Sequence, residues 1–231
     1  MAACWPQRSR AQPAAVDAIT EPVLLVGTAP PSAQAGEVHQ QLLKLLMQRA
    51  GLRYALSYEP VERAIASLRA GLYDAETLRF PGYDRVVPGA IRVDPHLLTT
   101  SFLAFSRSAT VAPRSWQDLR ELRVAYLRGV RLVEQQLAGA ASVTATTTPQ
   151  SCQAIVAAGR VDACVLFADA ALLAARDAEP APLHRHLIER VNLHLWVAPG
   201  REVLARRLTL ALRAMADSGE LARVAGAERQ P

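Results

Sequence analysis

The sequence predicts an α/β fold made of two similar lobes with a cleft between them. Two observations carry that reading. The phrase Ala70-Gly71-Leu72-Tyr73-Asp74-Ala75 returns as Ala158-Gly159-Arg160-Val161-Asp162-Ala163, each closing a helix-like run and opening a strand-like one. Around both phrases short apolar runs alternate with amphipathic ones, the pattern of parallel strands joined by right-handed helical crossovers. In each phrase the Gly sits where a helix end needs a left-handed residue. Two lobes that repeat one turn leave a cleft, a natural place for a small ligand.

The elements follow in order along the chain. Residues 23–27 form a continuous apolar run, as in a strand covered on both faces. A Pro-rich loop over 28–35 leads to a helix over 36–50, with Val38, Leu42, Leu45 and Leu46 at helical spacing and Gly51 as its stop. A strand is expected over 53–58, a helix over 62–70 started by Pro60, and a strand over 73–78. Pro81-Gly82 and Pro88-Gly89 mark turns in a loop-rich stretch over 80–95. Residues 101–107 read as a strand. The pattern then restarts: helix 116–122, strand 123–126, helix 130–138, strand 142–147, a helix from Pro149 and a strand over 162–167. An Ala- and Leu-rich helix to about Arg176, a loop at Glu179-Pro180-Ala181-Pro182, a last strand over 191–198 and helices over 201–216 and 220–225 complete the chain.

Composition narrows the function classes. At 231 residues the chain makes one large domain or two smaller ones, and 51% hydrophobic residues suffice for a core. The net charge is +5, but Lys44 is the only lysine and the Arg residues are scattered among acids, so no polybasic arm appears. Aromatics are 5%, too few for a base-stacking platform, and no nucleic-acid partner is expected. No apolar run reaches the roughly 18 residues of a transmembrane helix. Residues 1–20 read as a disordered tail or signal remnant outside the fold.

Of the three cysteines, Cys4 lies in that tail. Cys152 falls in the first turn of a helix and Cys164 in the strand that returns from it. Their offset reads as two small buried side chains rather than a disulfide. His184 and His186 read as loop residues with no third metal ligand, and His96 and His194 as structural or surface residues. Common hydrolase, P-loop and zincin motifs are absent.

Four stretches together resemble a family-3 extracellular solute-binding protein with the type-2 periplasmic-binding-protein fold. These are Val23–Thr28, Arg63–Asp74, Trp116–Gly129, and Leu193–Gly200 with the closing helices after it. Their order and spacing, more than any single motif, carry the resemblance. It implies lobe 1 over 21–105 plus 195–231, lobe 2 over 106–194, and a two-strand hinge near 102–107 and 191–197. It further implies a small-molecule ligand, an amino acid or organic anion, bound without chemistry or cofactor. A periplasmic location, a monomer, and an ABC transporter permease or a sensor as partner also follow from it.

The chain departs from that family in three places, and looks closer to an atypical branch. The loop after the first strand, Thr28–Gly36, carries no aromatic residue. The segment from Tyr73 to Arg79 replaces the usual hydroxyl-and-Arg carboxylate site. Phe167 stands where the family holds the ligand amine with an Asp, and Asp169 lies two residues later. The fold carries over and amino-acid specificity does not.

The candidate ligand residues are Thr28, Arg63, Glu76, Arg79, Tyr126, Arg128, Gly129, Val130 and Asp169. Arg79 leaves the C-terminal end of a strand, where open α/β sheets bind ligands, and its guanidinium either grips a carboxylate or pairs with Glu76. Arg63 lies in a helix's first turn, a poor place for a cation unless a ligand anion, Glu59 or Glu62 offsets it. Gly129 sits between a strand and a helix, so the backbone N–H groups around it either hold an anion or form a plain turn. Counting Arg63, Arg79, Arg128 and Arg131 against Glu76 and Asp169 favours an anionic ligand. The alternative function is an enzyme resembling the cyclohexadienyl dehydratases, with Glu76 and Arg79 in the acid and Arg parts.

Overall fold

The computed structural model describes residues 22–27, 33–168 and 183–225. Its strands are β1 (Val23–Gly27), β2 (Tyr54–Tyr58), β3 (Ala75–Arg79), β4 (Ile91–Arg92), β5 (Leu98–Ser106), β6 (Arg123–Leu127), β7 (Ser142–Thr146), β8 (Ala163–Ala168) and β9 (His184–Val197). The helices are α1 (Ala33–Ala50), α2 (Val61–Arg69), α3 (Trp116–Arg120), α4 (Arg131–Gln136), α5 (Pro149–Ala157), α6 (Glu202–Asp217) and α7 (Glu220–Ala225). The expected tail over 1–20, the helix to about Arg176 and the loop at Glu179–Pro182 lie outside the described residues.

The strands join in the order β2-β1-β3-β9-β5-β8-β6-β7, with β4 beside β9. Pairing is parallel within β2-β1-β3 and within β8-β6-β7. The centre differs from the all-parallel expectation. There β9 runs antiparallel to both β3 and β5, and β5 antiparallel to β8. Residues 194–197 of β9 serve the first half and residues 184–193 pair with β5. The long strand thus stitches the two parallel half-sheets together.

Each half buries its own core. Leu42, Leu43, Leu46 and Met47 of α1 recur at helical spacing and meet Leu204, Leu208, Leu212 and Met215 of α6 over Leu25, Ala75 and Leu195. The C-terminal helix therefore packs on the first half. In the second half Phe102, Leu119, Val124 and Val133 form one core face, and Phe105, Cys152, Val156 and Cys164 the other.

The repeated phrase makes the same turn twice. Gly71 and Gly159 both adopt φ +69°. Just beyond, Leu72 N–H donates to Ser67 O and Arg160 N–H to Ile155 O, each at 3.0 Å. The following Asp then clasps a neighbouring strand with backbone and side chain. Asp74 N–H reaches Leu24 O at 2.8 Å while Leu24 N–H reaches Asp74 Oδ2 at 2.8 Å. Asp162 N–H reaches Arg123 O at 2.8 Å and Arg123 N–H reaches Asp162 Oδ2 at 2.9 Å.

Two expectations need correction. Cys152 and Cys164 form a disulfide, with Cα atoms 5.8 Å apart. Helix α5 runs back across β8, so its first turn lies over the strand's second residue. His184 and His186 lie in β9, not in a loop, and His186 Nε2 is 3.2 Å from Ser106 Oγ. His194 is buried, with Nδ1 3.2 Å from Val93 O, in keeping with a structural role.

Candidate functional site

In each half the parallel strands end on the same edge, and a helix starts from that edge. In the first half β2 ends at Tyr58 and α2 starts at Val61; in the second β6 ends at Leu127 and α4 at Arg131 begins the next helix. The two helix starts meet across the cleft. Arg131 Nε donates to Glu62 Oε1 at 3.0 Å and its terminal nitrogen lies 2.5 Å from the same oxygen. Both side chains are largely exposed, so the pair closes the cleft at its rim.

The first-half wall holds a buried polar network. Glu76 is fully buried in β3 and accepts from Arg79 Nε at 2.5 Å and from the Tyr83 hydroxyl. Side chains three apart on a regular strand point to opposite faces. Here Leu78 takes φ +56° and the β3–β9 register shifts between Glu76 and Arg79, so the two side chains meet. A left-handed Leu costs about 1–2 kcal/mol, which the surrounding contacts must offset. Close by, Glu59 accepts from Ser67 Oγ at 3.0 Å and Tyr73 Oη at 3.1 Å. Burial raises the Glu76 pKa, the Arg79 charge and hydrogen bond oppose that, and the Glu59 carboxylate adds to it.

The second-half wall is aromatic. Phe102 is fully buried, and the half-buried rings of Trp116, Phe80 and Phe167 surround it at centroid distances of 5.3, 5.8 and 6.4 Å. Phe80 arrives directly from the end of β3, so this cluster sits at the junction of the halves. Tyr126 and Val130 are half-buried against the same cluster. Trp116 Nε1 donates to Glu189 Oε2 at 2.6 Å.

The candidate residues fall into five groups. Thr28 and Asp169 lie outside the described residues. Glu76 and Arg79 are brought together with each other, the ion-pair alternative for Arg79. The Gly129 N–H, considered as an anion donor, already donates to Glu134 Oε1 at 3.1 Å, because α4 turns its own carboxylate back onto it. Arg63 and Arg128 are exposed at the two helix starts, and neither side chain has a hydrogen bond or ion pair among the described residues. Tyr126 and Val130 lie on the aromatic wall. Not on the candidate list were Glu62, Phe80 and Trp116. Phe80, one residue past a strand end, is the one whose position in the sequence could have flagged it.

Known structures agree with this architecture. The GluR0 ligand-binding core in complex with L-glutamate superposes at a TM-score of 0.72 and 15% identity, covering 90% of this chain and 98% of that one. An ancestral amino acid-binding protein, a precursor of cyclohexadienyl dehydratase, superposes at 0.64 and 16% identity, covering 87% and 92%. The chain has the type-2 periplasmic-binding-protein fold. The substrate-binding protein of an amino acid ABC transporter gives 0.63 at 14% identity, covering 88% and 97%. No protein-family model matches the chain, and no curated protein sequence does. Among the described residues, no helix is long and apolar enough to cross a membrane.

Proposed function

We propose that the chain binds a small carboxylate-bearing solute in the cleft, without turning it over, and presents it to an ABC transporter permease or a sensor. In this reading 106–194 is the lobe that closes on 21–105 plus 195–231, as a monomer in the periplasm. One observation carries it: Arg63 and Arg128 stand at facing helix starts with no partner among the described residues, whereas the carboxylates beside them are engaged. A carboxylate between two such cations would gain charge-assisted hydrogen bonds and relieve Arg63 of its place near a positive helix end. The Cys152–Cys164 disulfide suits an oxidising compartment such as the periplasm.

Calorimetry with a panel of carboxylates tests this. Hydrogen bonds to charged groups contribute about 1.5–3 kcal/mol, so Arg63→Ala and Arg128→Ala should each weaken binding about tenfold or more. Arg213→Ala, on the exposed face of α6, should leave it unchanged. Tight binding of a cationic solute, or equal behaviour of all three variants, would remove the carboxylate site.

A dehydratase reading has one observation in its favour. Burial raises the pKa of the Glu76 carboxyl, as a general acid needs, while the neighbouring Arg79 opposes that rise. Steady conversion of prephenate or arogenate, lost in Glu76→Gln, would establish it in place of simple binding.

A further inference from the structure

We infer that the preferred ligand is an aromatic carboxylic acid that carries no ammonium group. The inference rests on the carboxylate-binding reading and specifies the rest of the molecule. Its first support is the aromatic wall. Phe80, Trp116 and Phe167 surround the buried Phe102, yet each stays half-buried. Rings in a core bury both faces; rings at a junction between two halves retain apolar surface that a flat body can cover. Phe80 comes from the first half and Trp116 and Phe167 from the second, so an aryl group stacked here would touch both and favour closure.

The second support is the state of the acids flanking the described cleft residues. An ammonium group needs a carboxylate left over for it. Glu62 is committed to Arg131, Glu76 to Arg79 and Tyr83, Glu134 to the Gly129 N–H, and Glu189 to Trp116 Nε1. Glu59 serves Ser67 and Tyr73. Withdrawing any of them would leave a donor or a cation without its partner, a cost set against any gain from the ligand's ammonium. Cationic Arg63 and Arg128 remain for the carboxylate. Anion recognition, an aryl-accepting wall and, among the described residues, no spare carboxylate beside it together select the class.

Titration of the purified protein with 3-phenylpropionate, L-phenylalanine and butyrate tests this. The expected order is 3-phenylpropionate at least tenfold tighter than either of the others, with a change in Trp116 emission that Trp116→Phe removes. Phe167→Ala and the conservative Phe80→Leu, checked for folding by circular dichroism, should each cut the advantage of 3-phenylpropionate over butyrate several-fold and leave butyrate binding in place. If butyrate binds as tightly as 3-phenylpropionate, the aromatic assignment fails and the carboxylate reading stands. If L-phenylalanine binds tightest, the exclusion of ammonium fails. If no carboxylate binds, both readings fall together.

Discussion

The two Gly-x-x-Asp turns share backbone geometry but not surroundings. Both glycines sit at φ +69° and both aspartates clasp a neighbouring strand through one N–H and one carboxylate oxygen. Asp74 pairs its carboxylate with Arg201, 2.8 Å away at the start of α6, and its side chain is 14% exposed. Asp162 pairs with Arg123, the same β6 residue whose backbone it clasps, at 2.6 Å and is 30% exposed. The first turn therefore anchors a distant helix, while the second closes only a local circuit. The second half has a staple of its own in the disulfide, which ties α5 to β8 across a separation of 12 residues. A shared local motif is thus tied into the fold by different non-local contacts.

The largest expected effect breaks that asymmetry. Cys164→Ala, or reduction, should destabilise the protein by about 3 kcal/mol, the usual size for a loop of this length. Thermal unfolding with and without reductant measures it. An unchanged midpoint would mean that packing of α5 alone fixes the second half.

Removal of the aspartates comes next. Hydrogen bonds to charged groups contribute about 1.5–3 kcal/mol, so Asp74→Ala should fall near the upper end and the more exposed Asp162→Ala near the lower. Urea unfolding gives both numbers, and a reversed order would show that Arg201 adds nothing. pH tests the second clasp further. Hydrogen bonds from the Arg123 side chain and backbone hold the Asp162 carboxyl below its ordinary 3.8. A depressed folded pKa confers stability that is present above the unfolded value and lost as pH falls through the folded one. The deficit of Asp162→Asn against wild type should therefore be full at neutral pH and shrink as pH drops below about 4. A deficit constant down to pH 2.5 would remove the charged clasp.

The smallest effect should be the most symmetric. Gly71→Ala and Gly159→Ala each force a left-handed alanine, which costs about 1–2 kcal/mol. An added Cβ meets nothing within 4 Å at Gly71 and only the flexible Arg107 guanidinium at 3.3 Å at Gly159. The two variants should match within about 0.5 kcal/mol, the usual tolerance for independent sites. A large gap would locate strain that the shared geometry conceals.

The order and type of nearly all described elements were legible in the sequence because each is set by local chemistry. Helical spacing in α1, Pro149 at the start of α5 and the two Gly-x-x-Asp stops all act within a few residues. The front of β9 was not legible. Residues 184–190 are mostly charged or His, and a register shift opposite Phe102 and Leu103 spoils their alternation, so that stretch is a strand only because β5 offers its edge. Of the candidate site, the places of Arg63 and Arg128 at helix starts were legible, whereas the partners of Arg79, Arg131 and Gly129 were not.

By itself the sequence determined two α/β halves, their shared turns and the edges where their parallel strands end, because periodicity and turn residues act over short separations. Only the tertiary structure decided that β9 spans both halves antiparallel to its neighbours, that Cys152 meets Cys164, and that Glu62 takes Arg131 across the cleft. Each of these joins residues brought close by helix and strand packing, and such distances are fixed by the whole fold, not by any stretch of chain.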